Sequence, residues 1–272
     1  MDRMNRVGSI WPAGKKCAVV LSFDLDAETL WLARDPRNAK RPVLLSMGRF
    51  GPRRAVPDIL ALLDGRRLPA TFFIPGWTAE HHQPAVEAIV AAGHEVALHG
   101  YLHERPDRLP PEEERAIMER SIAVLEGITG KRPTGYRSPA AEFSEVTLDL
   151  LHEYGLRYSS NMMDDYIPYF HRRRDGRQGL VELPIHWVLD DAPYFLPTRT
   201  MLDNRAVLSI WQEEFAALYE RGGLYMLICH PQLIGRPGRL EMLGELLGYL
   251  MERPDAWFAR ADEVAAHWET RG

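Results

Sequence analysis

The chain has 272 residues, 46% of them hydrophobic, and a formal net charge of −5. That is enough apolar material for one sizeable core, and no block of like charge marks a nucleic-acid or anionic-membrane partner. No apolar run reaches the roughly 18 residues of a membrane span, and the first residues lack the apolar centre of a secretory leader. The chain therefore reads as a cytoplasmic protein. Cys17 and Cys229 each sit in an apolar run, as buried thiols do, and two of them make no disulfide framework. Arg172, Arg173 and Arg174 read as a solvated loop.

In chain order, Cys17 to Phe23 is a continuous apolar and β-branched run and predicts a buried strand. Pro57 to Leu63 predicts a helix and Ala70 to Ile74 a second strand. Pro84 to Ala92 predicts a helix closed by Gly93, the residue type suited to a left-handed cap. Glu95 to Leu98 follows as a short strand. Pro110-Pro111-Glu-Glu-Glu opens a long helix, with proline presetting the first turn and the acids at the positive end of the dipole. Thr134 to Arg137 predicts a strand, Ser144 caps a helix ended by Gly155, and Arg157 to Ser160 and Val181 to Trp187 predict strands. Asn204 to Tyr219 predicts a helix broken at Gly222-Gly223. Leu224 to Cys229 is a strand, Leu240 to Leu250 a helix, and Trp257-Phe258 a last strand before a C-terminal helix.

Strands alternating with helices imply a parallel sheet. The pattern predicts an α/β chain forming one domain over residues 1–272, an irregular (β/α) barrel of seven or eight strands, with a doubly wound open sheet as the alternative. The polar residues favour the barrel. Asp24 and Asp26, His99, Arg137, Asp190 and Asp191, and His230 each follow a predicted strand, and a barrel gathers such positions on one rim.

His99-Gly-Tyr-Leu-His103 places two imidazoles four residues apart, on one face of a helical turn, able to clasp one ion. A pair at that spacing also arises without a site. It gains weight from Phe23-Asp24-Leu25-Asp26, where strand alternation points both carboxylates the same way. Side by side at a buried strand end, they are costly without a cation nearby.

These segments resemble the polysaccharide deacetylase family, in order and over nearly the whole chain. Phe23-Asp24-Leu25-Asp26 is similar to its first motif, His99-Gly-Tyr-Leu-His103 to its second and Tyr136-Arg137-Ser138-Pro139 to its third. Leu183-Pro184-Ile185-His186-Trp187 resembles the fourth and Leu227-Ile228-Cys229-His230-Pro231 the fifth. The resemblance implies an irregular (β/α) barrel and a metal-dependent hydrolase of amide bonds. It implies one divalent ion, expected to be zinc, on Asp26, His99 and His103. Asp24 is then the catalytic base, Arg137 its partner through a bidentate pair, and His230 the general acid. A backbone N–H near Ala141 would meet the oxyanion. Asp190 or Asp191 would orient His230, with Asp164 and Asp165 as further candidates.

Two departures stand out. Leu25 separates aspartates that are adjacent in the family's usual first motif, and Ala141 stands where the third motif usually ends in tyrosine. The stretch from Val181 to Phe195 and the run His230 to Pro237 resemble a subgroup that includes peptidoglycan deacetylases and enzymes opening cyclic imides. Both His99 and His103 are kept, whereas an allantoin-hydrolysing relative works without the metal pair. The expected activity is N-deacetylation of a short saccharide or small N-acyl compound. Ring opening of a cyclic imide or ureide is the alternative, and an inactive binding barrel the remote one. Trp187, Asp190, Asp191 and Ala141 are candidate pocket residues, Glu28 a helix-start acid or a substrate contact, and the aromatic run Tyr166 to Phe170 a candidate contact in a homo-oligomer.

Overall fold

A computed structural model describes residues 10–197 and 201–272. The start of the N-terminal stretch read above for a leader thus lies outside the described residues. No helix among these is long and apolar enough to cross a membrane. Nine strands form one curled sheet among the described residues: β1 (Cys17–Asp24), β2 (Thr71–Ile74), β3 (Glu95–Leu98), β4 (Gly135–Tyr136), β5 (Tyr158–Ser159), β6 (Tyr169–Arg172), β7 (Gln178–Glu182), β8 (Leu224–Cys229) and β9 (Ala256–Phe258). Their order is β6-β7-β5-β4-β3-β2-β1-β8, with β9 on the first half of β1. Neighbours pair parallel except β6, which lies antiparallel on β7. The two ends of the curl approach each other where Asp190 bridges to Ile228 of β8. The expected irregular barrel is the observed fold.

Every residue of β1 and of β8 is buried, as strands covered on both faces must be. Alternation divides β1 between two cores. Cys17, Val19, Leu21 and Phe23 face the surrounding helices, with Ile59, Leu125, Trp211 and Leu246. Ala18 and Val20 face the inside of the curl, with Phe73, Tyr158 and Met226, and Ala261, Val264 and Ala265 of the last helix plug its lower end. By the same alternation Ser22 and Asp24 lie on the inner face, toward the upper rim.

The helices largely follow their start and stop signals. Pro111–Thr129 carries Glu112, Glu113 and Glu114 in its first turn and ends at left-handed Gly130. Asn204–Arg221 is capped by the Asp203 carboxylate, which accepts from the Arg205 N–H at 2.9 Å, and ends at left-handed Gly222. Ser144 does not cap its helix directly. That helix runs Thr147–Glu153, and the Ser144 hydroxyl accepts from the Val146 N–H one turn ahead of it.

Other boundaries differ from expectation. The strand expected over Val181 to Trp187 ends at Glu182, because Pro184 has no N–H to give a ladder, and Trp187–Leu189 is a short 3-10 turn. Asp190 and Asp191 follow that turn rather than a strand. The helix Pro42–Phe50 continues through a π-turn, Gly51–Ala55, into Val56–Asp64, and was not foreseen as a helix before Pro57. Of the aromatic run Tyr166 to Phe170, the last two residues belong to β6. The three arginines after Phe170 and His171 are exposed, as read.

Candidate metal and catalytic site

Five upper-rim segments converge: the ends of β1, β3, β4 and β8 and the turn before Asp190. The base of the site is Arg137, only 2% exposed although it is an arginine. Its guanidinium lies over the Phe73 ring at 4.0 Å. Nη1 donates to Asp24 Oδ1 at 2.8 Å and to Ser22 Oγ at 2.9 Å, while Nη2 donates to Ser160 Oγ at 2.9 Å. The expected bidentate pair with Asp24 is therefore not formed. Only one guanidinium nitrogen meets the carboxylate, because the fork is shared among three partners on β1 and the end of β5. Asp24 Oδ2 is left facing the His99 ring, 4.0 Å from Nε2.

His99 and His103 meet at one point, but not on a helical turn. His99 directly follows β3, Gly100 has φ 69°, and His103 itself is left-handed at φ 62°. The loop between them folds onto the Glu104 carboxylate, which accepts from the Tyr101 N–H at 3.0 Å and the Leu102 N–H at 2.8 Å. The rings cross at 80° with centroids 5.1 Å apart. His99 Nδ1 sits 2.8 Å from the Arg137 carbonyl. A carbonyl only accepts, so Nδ1 carries a proton, and in the neutral ring Nε2 turns its lone pair inward; burial opposes charging of this ring, but Asp24 and Asp26 outweigh it and raise its pKa. Burial holds His103 neutral, with its pKa pulled down to about 4 despite the opposing pull of Asp26.

Asp26 completes the group. Its Oδ1 lies 3.4 Å from His99 Nε2 and 3.8 Å from His103 Nε2. The residue is fully buried, and Oδ1 has no hydrogen-bond partner among the described residues. Burial works against its ionisation, and the rings of His103, His99 and His230, when protonated, outweigh it and draw the carboxyl below the usual range. Asp26, His99 and His103 offer ligand atoms all within 4.8 Å of one another. A buried carboxylate oxygen facing imidazole lone pairs is unfavourable alone and suits a divalent cation, so the donor set fits a divalent-metal site.

His230 follows β8, and its Nδ1 lies 2.7 Å from Asp191 Oδ1, while its own backbone N–H donates to Asp191 Oδ2 at 3.0 Å. Asp191 is thus the carboxylate that holds His230. Asp190 is 3.7 Å from the same nitrogen and accepts instead from the Ala192 N–H at 2.8 Å. Burial alone would discharge His230, but Asp191 outweighs it and raises the ring's pKa well above the ordinary value. His230 Nε2 points into the site, 3.7 Å from Asp26 Oδ2. Asp190 is pushed up to about 7, chiefly by burial.

Other expected residues stand elsewhere. The Ala141 N–H donates to Ser138 O at 3.0 Å, closing the left-handed turn at Ala140 and Ala141, so that donor is not turned to a substrate. Trp187 is 45% exposed, in the 3-10 turn that precedes Asp190. Asp164 and Asp165 are exposed and serve their own loop, accepting from the Tyr169 hydroxyl and the Tyr166 N–H. Glu28 precedes a short helix without capping it, and its buried carboxylate meets His82 Nε2 at 2.8 Å. Two residues were missed. Buried Glu182 accepts from the Asn161 and Met162 N–H groups, while Asn161 Oδ1 accepts from the Ser138 N–H, so Glu182 braces the Arg137 loop. Gln232 donates to Asp26 Oδ2 at 3.4 Å. An isolated Glu or Gln has no spacing signal that would have singled it out.

Known proteins carry the same arrangement of chain. Residues 38–159 match the Polysaccharide deacetylase family. A peptidoglycan deacetylase of Helicobacter pylori is 28% identical over 92% of this chain and 96% of its own. The crystal structure of an allantoinase superposes with a TM-score of 0.86 over 98% of this chain and 94% of its own; at 24% identity it speaks for the fold alone. A Mycobacterium smegmatis protein assigned to the polysaccharide deacetylases is 39% identical, with a TM-score of 0.92 over 96% of this chain and 93% of its own. Identity at that level along nearly the full length of both chains, on a shared curled sheet, places this chain in the polysaccharide deacetylase family.

Proposed function

We propose that the chain is a metal-dependent amide hydrolase, with residues 1–272 as one catalytic unit, that removes N-acyl groups from a short saccharide or small N-acyl compound. The observation that supports this most is Asp26 Oδ1, buried without a partner and facing His99 and His103. Asp26, His99 and His103 would hold the ion. A divalent cation there supplies Lewis-acid polarisation of the scissile carbonyl and lowers the pKa of a bound water from ~15.7 toward 7.

The chain's own groups do the rest. Arg137 holds Asp24 Oδ1 in place, which leaves Oδ2 to take the proton of the attacking water. Asp191 fixes Nδ1 of His230, so the Nε2 proton is the one offered to the leaving nitrogen. His230 Nε2 lies 3.7 Å from Asp26 Oδ2 and Asp24 Oδ2 lies 4.0 Å from His99 Nε2, so acid and base each border a residue that would hold the ion.

Ring opening of a cyclic imide is the second reading, favoured by Ala141 in place of the family's usual tyrosine, which removes a ring that shapes a sugar site. Acetate release from N-acetyl sugars, measured beside succinimide ring opening and metal content, separates the two. One bound divalent ion with acetate release is the expected result. A protein active on neither class, without bound metal, contradicts the proposal.

A further inference from the structure

Gln232 stands two residues after His230, is 3% exposed, and has its two amide atoms in very different surroundings. Nε2 donates to Asp26 Oδ2 at 3.4 Å. Oε1 is buried with no hydrogen-bond partner among the described residues. Leaving a buried acceptor unpaired costs about 1–3 kcal/mol, which an apolar side chain of similar length would avoid. Packing keeps the amide where it is. A Cβ on Gly51 would lie 3.4 Å from both the Gln232 backbone nitrogen and Oε1, so the π-turn Gly51–Ala55 stands directly behind this side chain.

We infer that Gln232 is a positioning residue for the metal carboxylate. By holding Oδ2 it leaves Oδ1 alone turned to His99 and His103, so Asp26 serves as a one-oxygen ligand. Without that hold the carboxylate is free to rotate and offer both oxygens. The inference rests on the metal site proposed above. It concerns a group outside the ligand set, of the kind whose loss typically weakens metal binding without touching a ligand.

The test titrates metal-stripped wild type, Gln232→Met and Gln232→Leu with cobalt(II). Affinity is read by chelator competition, coordination by visible absorption, and folding by the melting temperature of the metal-free proteins. The expected result is about 10- to 100-fold weaker binding in both variants. Visible absorption weakens as a second carboxylate oxygen joins the ion, and the metal-free melting temperature is unchanged or higher. Affinity within about twofold of wild type and an unchanged spectrum overturn the inference. So does a lowered melting temperature with an unchanged spectrum, which marks a structural role only. Wild type that takes up no cobalt overturns the metal site itself.

Discussion

Arg137 reaches both halves of the site at once: its carbonyl oxygen meets His99 Nδ1 at 2.8 Å, and its guanidinium meets Asp24 Oδ1 at 2.8 Å. One residue just past β4 thus sets the tautomer of a proposed ligand just past β3 and the position of the carboxylate of a proposed base at the end of β1. Such partners of a ligand are usually nearly as important to a metal site as the ligand itself.

Replacing Arg137 by Met leaves Asp24 buried beside Asp26 without a cation. A loss of about 3–5 kcal/mol in unfolding free energy is expected, measured by urea denaturation of metal-free protein. Adding Asp24→Asn to Arg137→Met restores part of it. A double variant no more stable than the single would show that Asp24 is not the group Arg137 neutralises.

Ligand and base separate by substitution. His103→Ala is expected to lose stoichiometric metal and nearly all turnover, whereas Asp24→Asn keeps the metal and loses turnover by about 10²-fold or more. Elemental analysis of the two purified variants decides this. Equal metal loss in both would contradict the division of roles.

Asp190 and Asp191 are neighbours in different situations. Asp191→Asn weakens the hold on His230 and is expected to lower kcat by about 10²–10⁴-fold. Asp190→Asn keeps the acceptor for the Ala192 N–H and changes stability instead. The Asp190 carboxyl is raised from 3.8 to about 7 by burial, so its contribution to stability is full below about pH 4 and lost as pH rises through 7. The asparagine variant is therefore expected to melt higher than wild type at pH 8, with a ceiling of about 4 kcal/mol, and no higher at pH 4. Melting curves of metal-stripped protein at both pH values test this; a gain at pH 4 equal to that at pH 8 would refute it.

How much of this could be read in the residues varies with the element. β1 and β8 were legible because a strand covered on both faces must be apolar throughout, and Asp24, Arg137 and His230 because a polar residue ending such a strand has few structural uses. The His99–His103 pair was found for a spacing that suits a helix, yet the chain joins the rings through left-handed Gly100 and His103. Spacing reports which residues meet and not the path between them. The helix Pro42–Phe50 was hidden because its face is half-buried and its start carries no side-chain cap. The choice between Asp190 and Asp191 depended on a backbone turn that adjacent identical residues cannot encode. Gln232 acts through a contact 206 positions away in the chain.

Gly48 tests the frame around Asp26. A Cβ there would fall 2.4 Å from the Ala27 carbonyl oxygen, and Ala27, at φ 53°, follows the proposed ligand directly. Gly48→Ala is expected to cost about 1–3 kcal/mol by overpacking and to weaken metal binding as the Asp26 loop shifts. Urea denaturation and cobalt titration read the two effects. Wild-type values in both would mean that the helix does not hold this loop.

The most direct measurement is turnover of metal-stripped protein, on whichever amide the substrate screen identifies, before and after one equivalent of zinc or cobalt. The expected result is loss of nearly all activity on stripping and its return at one equivalent per chain. Full activity without metal, or uptake that persists in the His103→Ala variant, would contradict a cation held between Asp26, His99 and His103.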